Sequence, residues 1–141
     1  MSYAQPDALR ARLAPAPLAA LADDDGDGLA DEIILTHALA AASATIDQHL
    51  AARYVTPIAD PSPVLELWCL DLALESLHAR HGADLPKPIA ESAALTRRAL
   101  TAIHDGLANL AGAAPLPQDL LVDSTTLDDD PRFNFDILLP Y

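Results

Sequence analysis

Prolines fall in close pairs along this chain: Pro15 and Pro17, Pro57 and Pro61, Pro86 and Pro88, Pro115 and Pro117. A proline lacks the N–H a helix needs and its ring collides with the preceding turn, so it is excluded from helix interiors but tolerated in a first turn. The pairs therefore cut the sequence into pieces of helical length. Between them the apolar residues are mostly alanine and leucine, with one Trp, three Tyr and two Phe. That composition favours helix over strand, which draws on β-branched and aromatic side chains.

A short helix is expected to start at Pro6 and run through Leu9 and Leu13, with Pro15 and Pro17 stopping it and a short turn over Leu18–Ala22 after it. From Glu32 to about Tyr54, Leu35, Leu39, Ala42, Ile46 and Leu50 recur at spacings of three and four, one stripe of a long helix. Asp31 caps its start and Pro57 bounds its end. Val55–Ser62 reads as a connector. A second long helix has Ser62 as cap, Pro63 in its first turn and Gly82 beyond its end. Leu65, Trp68, Cys69, Leu72 and Leu77 share one face, and Leu67, Leu70 and Leu74 widen it. So wide an arc implies burial on two sides, either at the centre of the bundle or against a neighbouring subunit. A third long helix runs from about Ile89 to His104 with Ala93, Ala99, Leu100 and Ile103 inward. Gly106 is its stop, or Leu107–Leu110 prolong it. The expected fold is all-α: a small bundle of three longer helices plus short N-terminal helices over residues 1–117, with an extended C-terminal arm over 118–141.

The arm changes character. Asp128-Asp129-Asp130-Pro131 is a solvated, extended tract. Phe133, Phe135 and Ile137 then alternate with Asn134 and Asp136, a period of two, before Leu138, Leu139, Pro140 and Tyr141. Two readings stand: a tail folded back on its own core, or, as favoured here, a docking arm whose Arg132, Phe133, Phe135, Ile137, Leu138, Leu139 and Tyr141 engage a partner.

Between the short and long helices lies an acidic run with the grammar of a calcium loop, spanning residues 23–31. Asp23, Asp25 and Asp27 take positions one, three and five, Gly28 the sharp turn at six, Leu29 position seven and Asp31 position nine. Two carboxylates ~4 Å apart repel by roughly 4 kcal/mol at an effective dielectric of 20, and a cation would turn that repulsion into a fixed turn. Position twelve, usually a bidentate glutamate, is Ile34, and Glu32 comes two residues early. The expectation is a weak structural Ca2+ site, with a Kd on the order of 10⁻⁴–10⁻³ M. A solvated acidic turn with Asp31 serving only as a helix cap is the other reading.

Twenty-one acidic residues against eight basic ones give a net charge of −13. Nucleic-acid affinity rests largely on Lys and Arg neutralising phosphates, so a DNA-gripping role is not expected. A wall past which DNA slides is compatible with that charge. The single Cys69 excludes an internal disulfide and reads as a small buried residue. The first residues have neither the basic nor the apolar region of a signal peptide, and no apolar run approaches the ~20 residues of a membrane span. Nothing in the sequence argues for an enzyme. The glycines are scattered singly, no cysteine pair offers a zinc site, and Ser43, Ser76 and Ser92 sit in helices without an oxyanion turn. His78 and His81 read as partly exposed residues at a helix end, and His37, His49 and His104 have no partner nearby in sequence.

The order of these pieces resembles the Mu-like phage neck protein family. The likeness rests on the opening Tyr3-Ala4-Gln5-Pro6-Asp7-Ala8-Leu9 and on the block Leu21–Glu32 that carries the acidic loop. It continues through Ala40-Ala41-Ala42-Ser43-Ala44-Thr45-Ile46-Asp47, then Leu50–Tyr54 with its Arg53-Tyr54 pair, and Pro57-Ile58. Cys69–Ala73 and Ala99–Leu110 with Asp105-Gly106 extend it to about Pro117. Leu107 stands where many relatives carry a basic residue, and Ile137–Tyr141 is more apolar than the family's usual ending. The resemblance implies a head-to-tail connector with a small helical adaptor fold. Such adaptors form a ring, commonly twelve-fold, on the portal of the capsid, contact a stopper or tail-completion protein, and pass DNA as non-specific cargo. It places the protein in the virion neck, assembled in the bacterial cytoplasm, without membrane contact. The competing reading is a calcium-dependent helical binding module with a single EF-hand-like loop.

Overall fold

The computed structural model describes residues 2–82 and 84–117 and is all-helical there. Five helices follow one another: α1 (Pro6–Arg12), α2 (Pro15–Ala22), α3 (Glu32–Leu50), α4 (Pro63–Arg80) and α5 (Lys87–His104). No helix among the described residues is long and apolar enough to cross a membrane. The bundle of three longer helices behind two short ones matches the fold expected from the proline spacing.

Several boundaries differ, and each for a definable reason. Pro15 opens α2 instead of ending α1, and Pro17 fits two residues further in, because first-turn N–H groups have no intrahelical acceptor to lose. The long helix α3 stops at Leu50, four residues short of Tyr54. Tyr54 leaves the helix to pair with Pro115 across an isolated antiparallel bridge. Val55 N–H donates to Ala114 O and Leu116 N–H to Arg53 O, each at 3.0 Å. This long-range pairing outcompetes one more helical turn.

Helix α4 lies at the centre and packs on each of the other four helices. Leu65, Cys69, Leu74 and Leu77 of α4 are sealed against Leu35, Leu39, Ile46 and Leu50 of α3 and Leu100 of α5. Each such leucine contributes roughly 1.5–3 kcal/mol relative to an exposed one. The wide apolar arc of α4 is thus consumed inside the protomer. Trp68 is only half-buried, and Leu67 points outward at 53% exposure. On α5, Thr96 faces the core while Ala99 is half-buried, a register the alanine pattern does not distinguish. Thr96 is buried because its hydroxyl donates to Asp71 Oδ2 at 3.0 Å, while Arg12 holds Asp71 Oδ1 at 2.5 Å.

Helix α5 ends in a Schellman turn: Gly106 N–H donates to Ile103 O at 3.1 Å and Leu107 N–H to Ala102 O at 2.8 Å. Gly106 takes φ +82°, in the left-handed region that a Cβ disfavours. Leu107–Leu110 do not prolong the helix. Arg53 reaches over the same end, donating to Ile103 O at 3.3 Å and Ala108 O at 3.0 Å.

Candidate metal centre

The acidic run connects α2 to α3, and its backbone is shaped by its own carboxylates. Asp23 Oδ1 accepts Gly26 N–H and Asp23 Oδ2 accepts Gly28 N–H, both at 2.8 Å. Asp25 Oδ1 accepts Asp27 N–H at 3.1 Å, and Asp27 Oδ1 accepts Leu29 N–H at 2.8 Å. These are the local turns that aspartate supports when its side chain replaces a backbone acceptor. Gly28 sits at φ +81°, as the sharp sixth position requires.

Asp23, Asp25, Asp27 and Asp31 each bring one carboxylate oxygen into a group whose members lie within 4.8 Å of one another. Four of the five residues expected at the centre are therefore brought together. The fifth, Leu29, has only a backbone carbonyl to offer, and its side chain is 66% exposed. Asp31 occupies the N-cap of α3, but its side chain bonds no helix N–H. Its Oδ2 instead accepts Asp24 N–H at 2.9 Å, which ties the loop shut across its base. The expected cap is thus met in position and replaced in chemistry. Ser62 repeats the pattern at α4, holding the N-cap without a side-chain cap bond.

The crowding has an electrostatic signature. On Asp23 desolvation works against the charge, but the N–H groups of Gly28 and Gly26 outweigh it and hold the carboxyl below its ordinary value. Asp25 is stabilised by Asp27 N–H, yet the carboxylates of Asp23, Asp27 and Asp31 prevail and push it up to about 6. Asp24 turns away to pair with Arg80, which lowers it. Glu32 is engaged by Arg10, and Ile34 packs against the core. Neither supplies the missing bidentate ligand at position twelve. The donor set fits a hard, oxygen-seeking dication, with open positions left to water.

The other candidate side chains are structural. Cys69 is fully buried, and burial pushes its thiol above the usual range. His78 is buried, not partly exposed as the sequence reading had it, because its Nδ1 meets Leu74 O at 2.8 Å. Glu75, one turn earlier, is taken by Arg97. His49 and His104, distant in sequence, stack edge-on with ring centroids 6.3 Å apart. The arm residues Arg132, Phe133, Phe135, Ile137, Leu138, Leu139 and Tyr141 lie outside the described residues.

A polar knot that no single-residue signal announces joins the chain's beginning to α3. Tyr3 N–H donates to Ser43 Oγ at 3.0 Å, and Ser43 Oγ lies 3.3 Å from Cys69 Sγ. The Tyr3 hydroxyl donates to Asp47 and accepts Ile58 N–H at 2.9 Å. Desolvation, with Asp47 adding to it, pushes Tyr3 up to about 12. Tyr54 closes a matching tie, its hydroxyl accepting Leu110 N–H at 2.9 Å.

The family model described as Bacteriophage Mu, Gp36 matches residues 3–119 of this chain. No curated protein matches it.

Proposed function

We propose that this chain, which belongs to the bacteriophage Mu Gp36 family, is a non-enzymatic structural protein of the phage neck. In this reading it is a head-to-tail adaptor that closes with copies of itself into a dodecameric ring between the portal and the stopper or tail-completion protein. The match across the whole helical body carries the reading. The surface chemistry supports it. Arg10, Arg12, Arg80, Lys87 and Arg97 are paired with carboxylates, and Arg53 with carbonyls. A lining so depleted of free cations lets DNA pass without gripping it. Because the α4 arc is spent inside the protomer, subunit contacts fall to side chains such as Ile33, Leu67 and Leu95, which project from the three long helices at 53–65% exposure. The arm from Arg132 to Tyr141 then clasps the adjoining tier of the neck.

Electron microscopy of purified particles, and of the protein co-expressed with portal, tests this. Rings seated on the portal are expected. A protein that stays monomeric beside portal rings at high concentration refutes it.

The four converging carboxylates favour one additional element, a weakly held Ca2+ that stiffens the α2–α3 connection. Calorimetry with Ca2+ separates this from the calcium-dependent binding module. A tight site with a large conformational change supports the module, and a weak site without one supports the adaptor.

A further inference from the structure

Arg98 is the exception to the pairing of cations: among the described residues it makes no ion pair or side-chain hydrogen bond. It lies on an open groove of about 330 Å³ along the last turns of α5, with Ala102, Asp105 and Leu107. Leu107 is 83% exposed, more than any other large hydrophobic residue described. Its exposure has a local cause. The residue after a Schellman glycine usually packs on the side chain three positions before the cap, and here that side chain is only Ala102. Arg97, already paired with Glu75, and Thr101 also line it, so the groove presents, in order along the helix, an uncompensated cation, a shallow and mostly apolar floor, an anion and a bare leucine.

The chain carries the complementary order. Asp129 is followed by Pro131, Arg132 and Phe133, and Arg132 is the single basic residue of 118–141. Arg98 and Asp105 are seven residues apart, roughly 10.5 Å along an α-helix. Asp129 and Arg132 are three apart, roughly 9–10 Å in an extended chain, and Pro131 biases the residue before it toward that conformation. We infer that the segment Asp129–Phe133 docks on this groove of its own protomer, with Asp129 on Arg98, Arg132 on Asp105 and Phe133 over Ala102 and Leu107.

Length and connection favour the same chain over a second copy. Leu116 N–H is bonded to the backbone of Arg53, whose guanidinium caps the C-terminal end of α5, so the chain leaves the described body from the segment that holds that helix end. Eleven residues lie between Pro117 and Asp129, a reach of up to roughly 40 Å. A tether of that length holds a segment at an effective concentration near the millimolar range. The docked state belongs to the free protomer, and the arm leaves the groove when a neck partner takes Phe133.

The test is disulfide trapping in the full chain at dilute concentration. A Leu107→Cys/Phe133→Cys variant is oxidised beside a Leu67→Cys/Phe133→Cys control. Leu67 is 53% exposed on α4, and the Asp71–Thr96 bond places it toward the same end of the bundle. Buried Cys69 stays out of the reaction. An intrachain bond at position 107 is expected at least about tenfold faster than in the control, and Arg98→Glu in the same background should slow it about fivefold. Circular dichroism verifies that each variant is folded. Equal rates at both positions overturn the inference, as does an unchanged rate with Arg98→Glu. Crosslinks that form only between chains when single variants are mixed overturn it in favour of a second copy as occupant.

Discussion

Replacing Tyr3 with Phe removes one oxygen from the knot that anchors the chain's beginning, and leaves the ring in place. Tyr3 is 6% exposed, so the ring's packing is unchanged and the effect is confined to hydrogen bonding. The buried N–H of Ile58 loses its acceptor at 2.9 Å, which costs about 1–3 kcal/mol for an orphaned buried donor. Asp47 also loses a donor, but it is half-buried and regains water, so that loss adds only about 1 kcal/mol. The expected sum is about 2–4 kcal/mol. With a urea m-value of about 1.5 kcal/mol/M for a body of this size, the midpoint should fall by about 1.3–2.7 M at constant m. Asp47→Asn keeps an acceptor in place and should cost less. The same variant carries a second readout at alkaline pH. Tyr3 is pushed up to about 12 in the folded protein, against about 10 in the unfolded chain. Between those values the native state keeps a proton the unfolded state has lost, so wild-type stability declines as pH rises through this window. Tyr3→Phe abolishes that part of the slope, and the gap between the two proteins narrows above pH ~10. A midpoint shift below about 0.3 M, or a gap unchanged up to pH ~12, refutes the assignment.

Arg12→Leu strands the buried Asp71 carboxylate on Thr96 alone. Discounted for an arginine side chain that is a third exposed, this costs about 2–4 kcal/mol, whereas Asp71→Asn keeps the threonine bond, frees Arg12 to water and costs about 1–2. Thermal unfolding in the reverse order refutes the buried-pair reading. If Ca2+ binds as proposed, protons compete with it at Asp25, which is pushed up to about 6, so affinity by calorimetry should be about tenfold weaker at pH 5 than at pH 7. Equal affinities would place the ion elsewhere. In the ion-free protein the same raised carboxyl makes stability fall as pH climbs from about 4 to about 6. Gly106→Ala meets no clash, since the new Cβ would lie 3.9 Å from Arg53 Nη1. It must nevertheless hold φ +82°, a penalty of about 1 kcal/mol and about 4 °C in calorimetric Tm.

The parts of this fold that were legible in sequence rest on local physics. Proline pairs and a spacing of three and four locate α3, α4 and α5 because backbone sterics and one-sided burial act within a few residues. The acidic loop was legible for the same reason, as its turns are made by each aspartate bonding an N–H two to five residues ahead. What stayed hidden depends on contacts between distant segments. Nothing near Thr96 says that it faces Asp71. Nothing near Tyr54 says that it will leave α3 for Pro115, or that His78 will be buried while His81 stays out. Asp31 shows both sides of the limit: its place at the head of α3 was readable, but its preference for Asp24 N–H over the helix depends on how the loop closes.

Several residues on which the sequence resemblance rests gain a specific meaning from those long-range contacts. Tyr3, Ser43 and Asp47 meet at one knot, and Arg53 and Tyr54 at another, where they hold the end of α5 and the segment after it. All of them are buried or half-buried, and all satisfy backbone groups or one another. A buried donor or acceptor tolerates few replacements, because its partner would be left unsatisfied. These motifs therefore specify the helical body of the protein and not the surface by which it works. The chemistry that recognises other molecules must lie where side chains are exposed and unpaired. On the described body Arg98 beside Leu107 meets that condition, as do the exposed Ile33, Leu67 and Leu95, and in sequence the arm beginning at Arg132 is a further candidate. Substitutions in the knots should lower stability and assembly together. Substitutions at Arg98 or Phe133 should alter assembly while the melting temperature stays within about 2 °C. A knot variant that melts normally yet fails to assemble would reverse this division.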